Sequence, residues 1–560
     1  MIKSKYQTII EALEANAQWK IEKSTRSRAP KYIFPQRNGE EVRLGYDEVL
    51  TLAERYAWDL DAKGVVAGDR IPLVIPTGPE YLGAFFGCMI IGAIPCPMPL
   101  PSGLGAVQSY LGKFQQLADY LGVTAAVTNE MYCHLIGHVI SMDRTVITED
   151  LTEKRIGHRV QIQSTDIAFI QCTSGTTGTP KGVILTHGNL LANAEQLRIA
   201  LALGEKETGI SWLPLNHDMG LIGGIIFPMY LGCDEVLMDP RTFLRRPASW
   251  LKAISKYEGT ISAAPNFAYN YTRARVKDQD LNGLDLSSWR RALCGAEPID
   301  SRTLNHFEER FESVGFQRNV FVPCYGLAEA SLAVSFHEVG TSFILDHVDR
   351  DKLVTEGLVQ DVSVWEKDDP GIVSCGPVVP GTEISIVDEN GVALPEGQVG
   401  RVLVSGPSVS PGYWELPELT AKTIQNGWLD TGDLGYLRGD RLRITGRDKD
   451  IIIIRGKCYS PSEFEWAAES VDNVRPGRVA AFGSFNAEAG TEQLHLMLES
   501  SLDSEEHCDL RNKVIAAVTR RTGVAPSVVH VRKRHTVPMT TSGKIQRSKA
   551  KLIALEMRVV

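Results

Sequence analysis

The sequence predicts an α/β protein with a large, multi-subdomain N-terminal domain and a small α+β C-terminal domain. The chain has 560 residues, which is too long for a single hydrophobic core. Short β-branched runs alternate with amphipathic stretches, as in "RIPLVIP" before "GPEYLGAFFGCMII", and this alternation is typical of layered, largely parallel sheets. From residue 446, a run of glycine and charged residues precedes four isoleucines, which we interpret as a domain boundary followed by a buried strand.

The composition indicates an ordinary globular protein of a reducing compartment. Hydrophobic residues make up 43% of the chain and charged residues 23%, as in water-soluble domains. The formal charge of −9 provides no general attraction for nucleic acids or anionic lipids. The ten cysteines are scattered singly, which indicates free thiols and neither a disulfide framework nor a zinc site. We therefore expect a cytoplasmic protein with no nucleic-acid partner.

We expect no membrane insertion and no secretion signal. The N-terminal "MIKSKYQTIIEALEANAQWK" is amphipathic and lacks the apolar core of a signal peptide. The most apolar segment, residues 81–96, is short for a bilayer span and is interrupted by Gly87, Gly92 and Pro95. This segment is expected to form a buried helix that leads into a strand.

Three later segments depart from the parallel α/β pattern. Residues 336–371 are acidic, polar and weakly periodic, which indicates an insertion. Residues 381–406 alternate in polarity around Asn390-Gly391, which predicts an antiparallel hairpin. Residues 511–551 contain eleven Lys or Arg and no Asp or Glu, which suits a docking face for an acidic partner or for phosphates; a solvated surface fits equally well.

Residues 173–183, "TSGTTGTPKGV", have the composition of a phosphate-binding loop. Glycines let backbone N–H groups approach an anion, hydroxyls donate further hydrogen bonds, and a lysine adds charge. A Walker A loop is excluded because the lysine follows the last loop glycine by three residues. A surface loop between two strands is the alternative. The phosphate-binding candidates are Thr173, Ser174, Gly175, Thr176, Thr177, Gly178 and Lys181.

Six further motifs follow this loop: "PLNHDMG" from Pro214, "GAEP" from Gly295, "YGLAEA" from Tyr325, "TGDLG" from Thr431, "GRDKD" from Gly446 and "TSGKIQRSK" from Thr541. With "TSGTTGTPKG" they resemble the motif series of the adenylate-forming superfamily, which includes acyl-CoA synthetases, nonribosomal peptide adenylation domains and luciferases. The resemblance implies ATP and Mg²⁺ as cofactors. It also implies an N-terminal adenylation domain over 1–446 with an insertion at 336–371, and a small mobile C-terminal domain over 447–560.

The nucleotide motifs also make physical sense. Small residues in "GAEP" would let an adenine ring lie flat against the backbone, and Tyr325 would cover its other face. Glu329 is a hard oxygen ligand for Mg²⁺, with Thr176 as a second candidate. Asp433 can accept hydrogen bonds from both ribose hydroxyls, and Arg447 can donate another. For each of these residues taken singly, a structural role in packing, at a helix surface or in a turn is the alternative interpretation. The other candidates in these motifs are Gly295, Ala296, Glu297, Pro298, Gly326, Leu327 and Ala328.

Three side chains are candidates for catalysis: Lys544, Glu329 and His217. The ammonium of Lys544 would stabilise charge on the phosphoryl oxygens and on departing pyrophosphate without proton transfer. The resemblance implies that the C-terminal domain carries this lysine into the site and rotates about Lys449. His217 is expected beside the acyl carboxylate, in an acyl pocket formed with Asp218, Met219, Gly220, Gly223 and Gly224.

The sequence around His217 distinguishes branches of the superfamily. The aromatic-Asp-x-Ser motif that grips the amine of an amino-acid substrate is missing, and "ISWLPLNHDMGLIGG" is similar to fatty acyl-AMP ligases, which pass long-chain acids to an acyl carrier protein. "PCPMPLP" at 95–101, the insertion and "IIIIRGKCYSPSEFE" agree with this branch. Asn216, where an aromatic residue is usual, and Cys458, where Asn is common, depart from its pattern.

The resemblance thus implies an ATP-dependent ligase that forms a fatty acyl-AMP and transfers the acyl group to the phosphopantetheine thiol of an acidic carrier protein. In the resembled ligases, the insertion impedes rotation of the small domain into the pose used with coenzyme A; a tolerated surface loop is the alternative. Basic residues at 532–534, Lys549 and Lys551 would face the carrier. The alternatives are an acyl-CoA synthetase, a ligase for an aryl or unusual acid, and an inactive homologue, which the intact catalytic candidates disfavour.

Overall fold

The computed structural model describes residues 4–19, 29–36, 38–101, 107–157, 159–174, 180–365, 369, 371–486, 491–540 and 543–556. Within these ranges the chain forms the predicted large N-terminal α/β domain and small C-terminal α+β domain. None of the helices in this part of the chain is both long and apolar enough to cross a membrane.

The N-terminal quarter packs helices against a small parallel sheet. Its elements are α1 (Ile9–Ala17), β1 (Lys31–Pro35), β2 (Glu41–Gly45), α2 (Tyr46–Ala62), β3 (Arg70–Val74), α3 (Pro79–Ile90), β4 (Ile94–Pro97), α4 (Val107–Leu121), β5 (Ala126–Thr128), α5 (Glu130–Ile136) and β6 (Thr145–Ile147). The sheet has the order β4-β3-β5-β6. The buried α3 lies against α2, where a Cβ on Gly83 would come within 2.7 Å of the Tyr56 ring. The predicted buried helix and strand at 81–96 are confirmed.

The second segment supplies the main sheet. Its elements are β7 (Ile167–Ser174), β8 (Pro180–Thr186), α6 (His187–Ala200), β9 (Thr208–Ser211), α7 (Asp218–Leu221), α8 (Phe227–Leu231), β10 (Asp234–Leu237), α9 (Pro240–Arg245), α10 (Ala248–Tyr257), β11 (Ile261–Ala264), α11 (Asn266–Arg275), α12 (Asp278–Leu281), β12 (Arg291–Cys294), α13 (Ser301–Phe311), β13 (Phe321–Tyr325) and β14 (Ser335–Phe336). The strand order is β14-β13-β12-β11-β9-β10-β1-β2, parallel from β13 to β1. The carboxyl ends of its parallel strands therefore meet at one edge, where ligands bind in such sheets.

The third segment is antiparallel. Its elements are β15 (Leu345–Asp346), α14 (Arg350–Glu356), β16 (Ile372–Pro377), β17 (Glu383–Val387), β18 (Gly400–Ser405), α15 (Pro417–Thr423), β19 (Ile424–Gln425), β20 (Trp428–Arg438) and β21 (Arg441–Arg447). The predicted antiparallel pairing is confirmed, because β17 pairs antiparallel with β18 and Asn390-Gly391 lies in the turn between them. The weakly periodic segment 336–371 contains the short helix α14, whose first turn is capped by Asp349.

The C-terminal domain follows a 3₁₀ turn at Asp448–Asp450. Its elements are β22 (Ile452–Ile454), β23 (Lys457–Tyr459), α16 (Pro461–Glu469), β24 (Val474–Asn486), β25 (Thr491–Ser500), α17 (His507–Thr522), β26 (Val528–Arg532) and α18 (Arg547–Glu556). The isoleucine run was predicted to be a buried strand, and this is only partly correct. β22 pairs with β23 in a short hairpin beside the three-stranded sheet, so Ile452 is buried but Ile453 is 50% exposed.

Candidate active site

A cavity of about 1450 Å³ lies where the carboxyl ends of the main-sheet strands face the C-terminal domain. The loops after β12 and β13 form one wall, and the loop before α18 reaches it from the C-terminal domain. The structure thereby brings together residues from motifs that are far apart in the sequence. The predicted residues that line the cavity are Lys181, His217, Asp218, Met219, Gly223, Ala296, Glu297, Pro298, Tyr325, Gly326, Leu327, Ala328, Glu329, Asp433, Arg447, Lys449 and Lys544.

Several predicted glycines allow close packing. A Cβ on Gly295 would lie 2.7 Å from the carbonyl oxygen of Cys324, so only glycine lets the chain after β12 approach β13 here. A Cβ on Gly220 would lie 2.2 Å from the carbonyl oxygen of Pro214. Of the glycines expected in the acyl pocket, Gly223 lines the cavity, whereas Gly220 and Gly224 lie in the packing beside it.

Tyr325, Asp433 and Arg447 form a hydrogen-bonded corner. The hydroxyl of Tyr325 donates to Oδ2 of Asp433 at 2.6 Å, and Nε of Arg447 lies 2.9 Å from Oδ1. The pairing of β20 with β21 places Asp433 directly beside Arg447, so the backbone sets this contact. Burial raises the pKa of Tyr325, which keeps its hydroxyl protonated as the donor, and Asp433 raises the pKa of Arg447. Both oxygens of this carboxylate are thus held by side chains of the corner.

Lys181 and Glu329 lie around the side chain of Tyr413. The ammonium of Lys181 is 5.5 Å from the centroid of the Tyr413 ring. The hydroxyl of Tyr413 donates to Oε1 of Glu329 at 2.9 Å. Burial, together with the like charge of Lys449, lowers the pKa of Lys181. Glu329 is thus a hard oxygen donor on the cavity wall, held by a neutral hydroxyl, and this chemistry fits Mg²⁺.

The predicted phosphate loop falls in the sequence between β7 and β8, which pair antiparallel. The hydroxyl of Tyr120 accepts from the backbone N–H of Gly182 at 3.1 Å and donates to the carbonyl of Trp414 at 2.5 Å. These bonds tie the base of the hairpin to its neighbours. The loop residues Gly175, Thr176, Thr177 and Gly178, and the side chains of Thr173 and Ser174, lie outside the described part of the structure, and their roles stay predictions.

His217 is the N-cap of α7 and forms a pair with Asp218. Nδ1 of His217 lies 2.6 Å from Oδ1 of Asp218. Burial alone would raise the pKa of Asp218, but the charges of His217 and Lys544, with a hydrogen bond from Met219 N–H, lower it to about 2. The carboxylate therefore stays ionised and orients the imidazole at the cavity wall.

The loop that carries Lys544 packs against α11. A Cβ on Gly543 would lie 2.8 Å from the Phe267 ring, so glycine permits this approach. The backbone N–H of Phe267 in turn donates to Glu297 at 2.6 Å. Burial raises the pKa of Glu297 to about 7, although Lys544 and Arg547 oppose the shift. The structure thus places Lys544 beside the carboxylates of both the "GAEP" and the "NHDMG" motifs.

The helix α14 joins the segment 336–371 to the C-terminal domain. Arg350 forms an ion pair with Glu463 of α16 at 3.0 Å, and Asp351 forms one with Lys457 of β23 at 2.6 Å. Val354 packs against the hydrophobic core of the C-terminal domain. These contacts hold that domain in the arrangement in which Lys544 reaches the cavity.

Known proteins share this architecture. A profile described as AMP-binding enzyme matches residues 18–414. The chain belongs to the AMP-binding enzyme family. Its relatives include long-chain-fatty-acid–AMP ligases, and the predicted enzyme class and superfamily are confirmed for this chain.

Relatives of this AMP-binding enzyme match over nearly its full length. JamA of Moorena producens, named a medium-chain-fatty-acid–[acyl-carrier-protein] ligase, is 34% identical over 99% of this chain and 96% of its own. FadD23 of Mycobacterium tuberculosis, named a long-chain-fatty-acid–AMP ligase, is 31% identical over 92% of each chain. A solved structure from work on fatty acyl-adenylate ligases of E. coli and L. pneumophila has a TM-score of 0.91, 33% identity and 99% coverage of both chains. The predicted fold class is confirmed.

The sequence analysis did not identify the residues outside the motifs that hydrogen-bond to the candidate site residues and to β8. Tyr413, which binds Glu329, follows β18, and its signal in the sequence was the aromatic pair in "PGYW". Phe267 and Tyr120 position "GAEP" and the hairpin from helices that carry no motif. Such residues can be found only once the helices are placed against the cavity.

Proposed function

We propose that this ligase converts a fatty acid and ATP into fatty acyl-AMP and pyrophosphate, and then transfers the acyl group to the phosphopantetheine thiol of an acyl carrier protein. The observation that carries the proposal is the continuity of the cavity. It is bordered by the hydrogen-bonded corner at Tyr325 and Asp433, by His217 and Lys544, and by a group of apolar side chains that we interpret as an acyl channel. That channel is lined by Leu197, Leu201, Phe227, Leu231 and Leu332.

In the first step, a carboxylate oxygen of the fatty acid attacks the α-phosphorus of ATP. A P–O bond forms, the bond from the α-phosphorus to the bridging oxygen breaks, and pyrophosphate leaves with the electron pair. No proton is transferred, so the requirement is charge stabilisation, which Lys544 supplies at the phosphoryl oxygens. Lys181 and the phosphate loop bind the β- and γ-phosphates. Mg²⁺, held by Glu329 with Thr176, would neutralise charge on the phosphates when bound.

The adenosine part occupies the wall formed by "GAEP" and Tyr325. Adenine lies against the backbone at Ala296, which has a φ of +68° and so turns the chain sharply after β12. The ribose hydroxyls donate to Asp433 in exchange for its present contacts. His217, oriented by Asp218, stands beside the carboxylate of the acid.

In the second step, the thiol of the carrier loses its proton to solvent, and the thiolate sulfur attacks the acyl carbonyl carbon. A C–S bond forms, the C–O bond to AMP breaks, and AMP leaves with the electron pair. Rotation of the C-terminal domain about Lys449 would first withdraw Lys544. The contacts of α14 with that domain support a restricted rotation, and hence a carrier-borne thiol as the acceptor in place of free coenzyme A.

A product assay tests the proposal. The purified protein is incubated with ATP, Mg²⁺ and a panel of fatty acids, either alone, with coenzyme A, or with a phosphopantetheinylated acyl carrier protein. We expect acyl-AMP to accumulate when no acceptor is added and when coenzyme A is added. The acyl-carrier thioester should form only when the carrier protein is added. Rapid conversion to acyl-CoA would identify an acyl-CoA synthetase, and absence of adenylate with every fatty acid would refute the proposed substrate class.

A further inference from the structure

We propose that the far end of the acyl channel binds a hydroxyl group of the substrate, so that the preferred acid is a hydroxylated fatty acid and not a plain alkanoic acid. This inference rests on the proposed function, because it concerns the acid that the enzyme activates. It is based on Glu235, a buried carboxyl group that borders the channel.

The sheet places Glu235 at the end of the channel opposite the nucleotide. Glu235 lies two residues before the carboxyl end of β10 and pairs with Gly209 of β9. Three strand spacings of about 4.8 Å separate β10 from β12, which leads into the adenine wall, so Glu235 is roughly 15 Å from that wall. Side chains two residues apart share one face of a strand, and Ser211, which follows Gly209 on this face, also borders the cavity.

The carboxyl group of Glu235 has no partner in the described part of the chain. Glu235 is only 4% exposed, and burial raises the pKa of its carboxyl group well above the ordinary value, which favours the neutral form. Two neighbouring phenols bind elsewhere: Tyr32 donates to the carbonyl of Ile225 at 2.6 Å and Tyr46 to that of Cys233 at 2.8 Å. Burying a polar group without a hydrogen bond is unfavourable, and the described part of the chain leaves this carboxyl group to a partner in the cavity.

A second carboxyl group at the same end provides the comparison. Glu207 also borders the cavity and is also buried, but it accepts from the hydroxyl of Thr260 at 2.5 Å. Arg290 and Arg291 lie 3.1 Å and 3.4 Å from it. The fold therefore supplies a hydrogen bond and two ion pairs to Glu207 and leaves the carboxyl group of Glu235 available to a ligand.

The chain also leaves space for this group. A Cβ on Gly209 would lie 1.7 Å from Oε2 of Glu235, so the carboxyl group lies where any other residue would place its side chain. A neutral carboxyl group donates one hydrogen bond and accepts another, which matches a hydroxyl group. A substrate ammonium would require two desolvated charges at a site where no side chain of the described chain compensates Glu235, so a hydroxyl is favoured.

The test measures kcat/KM for pyrophosphate release in the wild type, Glu235→Gln and Glu235→Met. The panel contains alkanoic acids from hexanoic to hexadecanoic acid, with the terminally hydroxylated and aminated acid of each length. We expect the wild type to prefer a hydroxylated acid of one length by about tenfold or more, because a site built to bind a hydroxyl rejects the analogue that lacks it. Glu235→Gln, which keeps a donor and an acceptor, should retain this preference. Glu235→Met, of similar size but apolar, should reverse it.

Three results would overturn the inference: a wild type that favours the plain acid at every length, one that favours the aminated acid, or a Glu235→Met variant with an unchanged ratio. Thermal unfolding of both variants checks that they fold. Pyrophosphate release with plain acids alone would refute the inference and leave the proposed function standing. No release with any acid would refute the proposed function itself.

Discussion

The hydroxyl of Tyr413 donates a hydrogen bond to Oε1 of Glu329 at 2.9 Å, and so connects a residue outside the family motifs to the proposed magnesium ligand. Tyr413→Phe should leave Glu329 in place but less well oriented. Hydrogen bonds to charged groups are worth about 2 kcal/mol, so we expect the KM for MgATP to rise up to about thirtyfold. Tyr257→Phe is the matched control, because it removes a similar bond to Glu41, outside the cavity, and should leave this KM unchanged. Equal effects of the two variants would contradict the role of Tyr413.

Lys544→Ala should suppress acyl-AMP formation. Removal of one electrostatic contact to a transition state lowers kcat by about 10²- to 10³-fold, whereas ATP binding should persist because other residues hold the nucleotide. Pyrophosphate release and the Kd for ATP measure the two effects. Lys533→Ala removes the same charge from an exposed position of the C-terminal domain and should leave release unchanged. Unchanged pyrophosphate release in Lys544→Ala would disprove the assignment.

Loosening α14 should increase the use of coenzyme A. The double variant Arg350→Ala with Val354→Ala removes the ion pair to Glu463 and a packing contact with the C-terminal domain. The pair is partly exposed and worth at most about 1 kcal/mol, so with the packing loss we expect acyl-CoA formation to rise up to about tenfold.

The matched control for α14 is Arg438→Ala. It removes an ion pair with Asp361, which belongs to the same insertion, but the bond stays within the N-terminal domain. Acyl-CoA yield in this variant should equal that of the wild type. A similar rise in both variants would show that the insertion acts by loosening generally and not through its contact with the C-terminal domain.

The closed arrangement of the two domains, in which Lys544 reaches the cavity, should become less stable as the pH rises. Burial raises the pKa of Glu297 to about 7 and that of Glu469 to about 8, from an ordinary value of 4.5. Glu297 faces Lys544, Arg547 and Glu465; Glu469 accepts from the N–H of Gly477 and faces Glu465, Asp300 and Glu297.

The direction of this change in stability follows from the number of protons that each arrangement binds. The closed arrangement binds more protons than an open one between pH 4.5 and about 8, so it loses stability across this range and changes little above it. The radius of gyration from small-angle X-ray scattering should therefore increase from about pH 5 to about pH 9. Glu469→Gln should reduce the change, and a radius independent of pH in the wild type would contradict the prediction.

The sequence allowed the motifs and their order to be predicted, because glycines, hydroxyls and charged residues in a fixed order are visible without a structure. Periodicity was enough for the helix and strand at 81–96 and for the hairpin at Asn390-Gly391. The burial of individual side chains could not be predicted. In "GCDEVLMD" nothing in the sequence distinguishes Glu235 from the adjacent Asp234. Only the pairing with Gly209 and the position on the cavity wall identify Glu235 as a residue of the channel. The exposure of Ile453 likewise depends on which strands pair with β22.

The corner at Asp433 has a consequence for product release. Its Oδ1 contacts Arg447, the last residue of β21, which directly precedes the turn that contains Lys449. A nucleotide whose ribose hydroxyls donate to Asp433 would therefore alter the environment of Arg447, which lies two residues before the proposed pivot Lys449. Suppose that rotation of the C-terminal domain displaces Arg447 and thereby changes the affinity for AMP by a certain factor. Binding of AMP then changes the equilibrium between the two domain arrangements by the same factor, because the two effects are thermodynamically linked. In the proposed mechanism, the release of AMP is therefore coupled to the domain movement that exposes the acyl group to the thiol of the carrier.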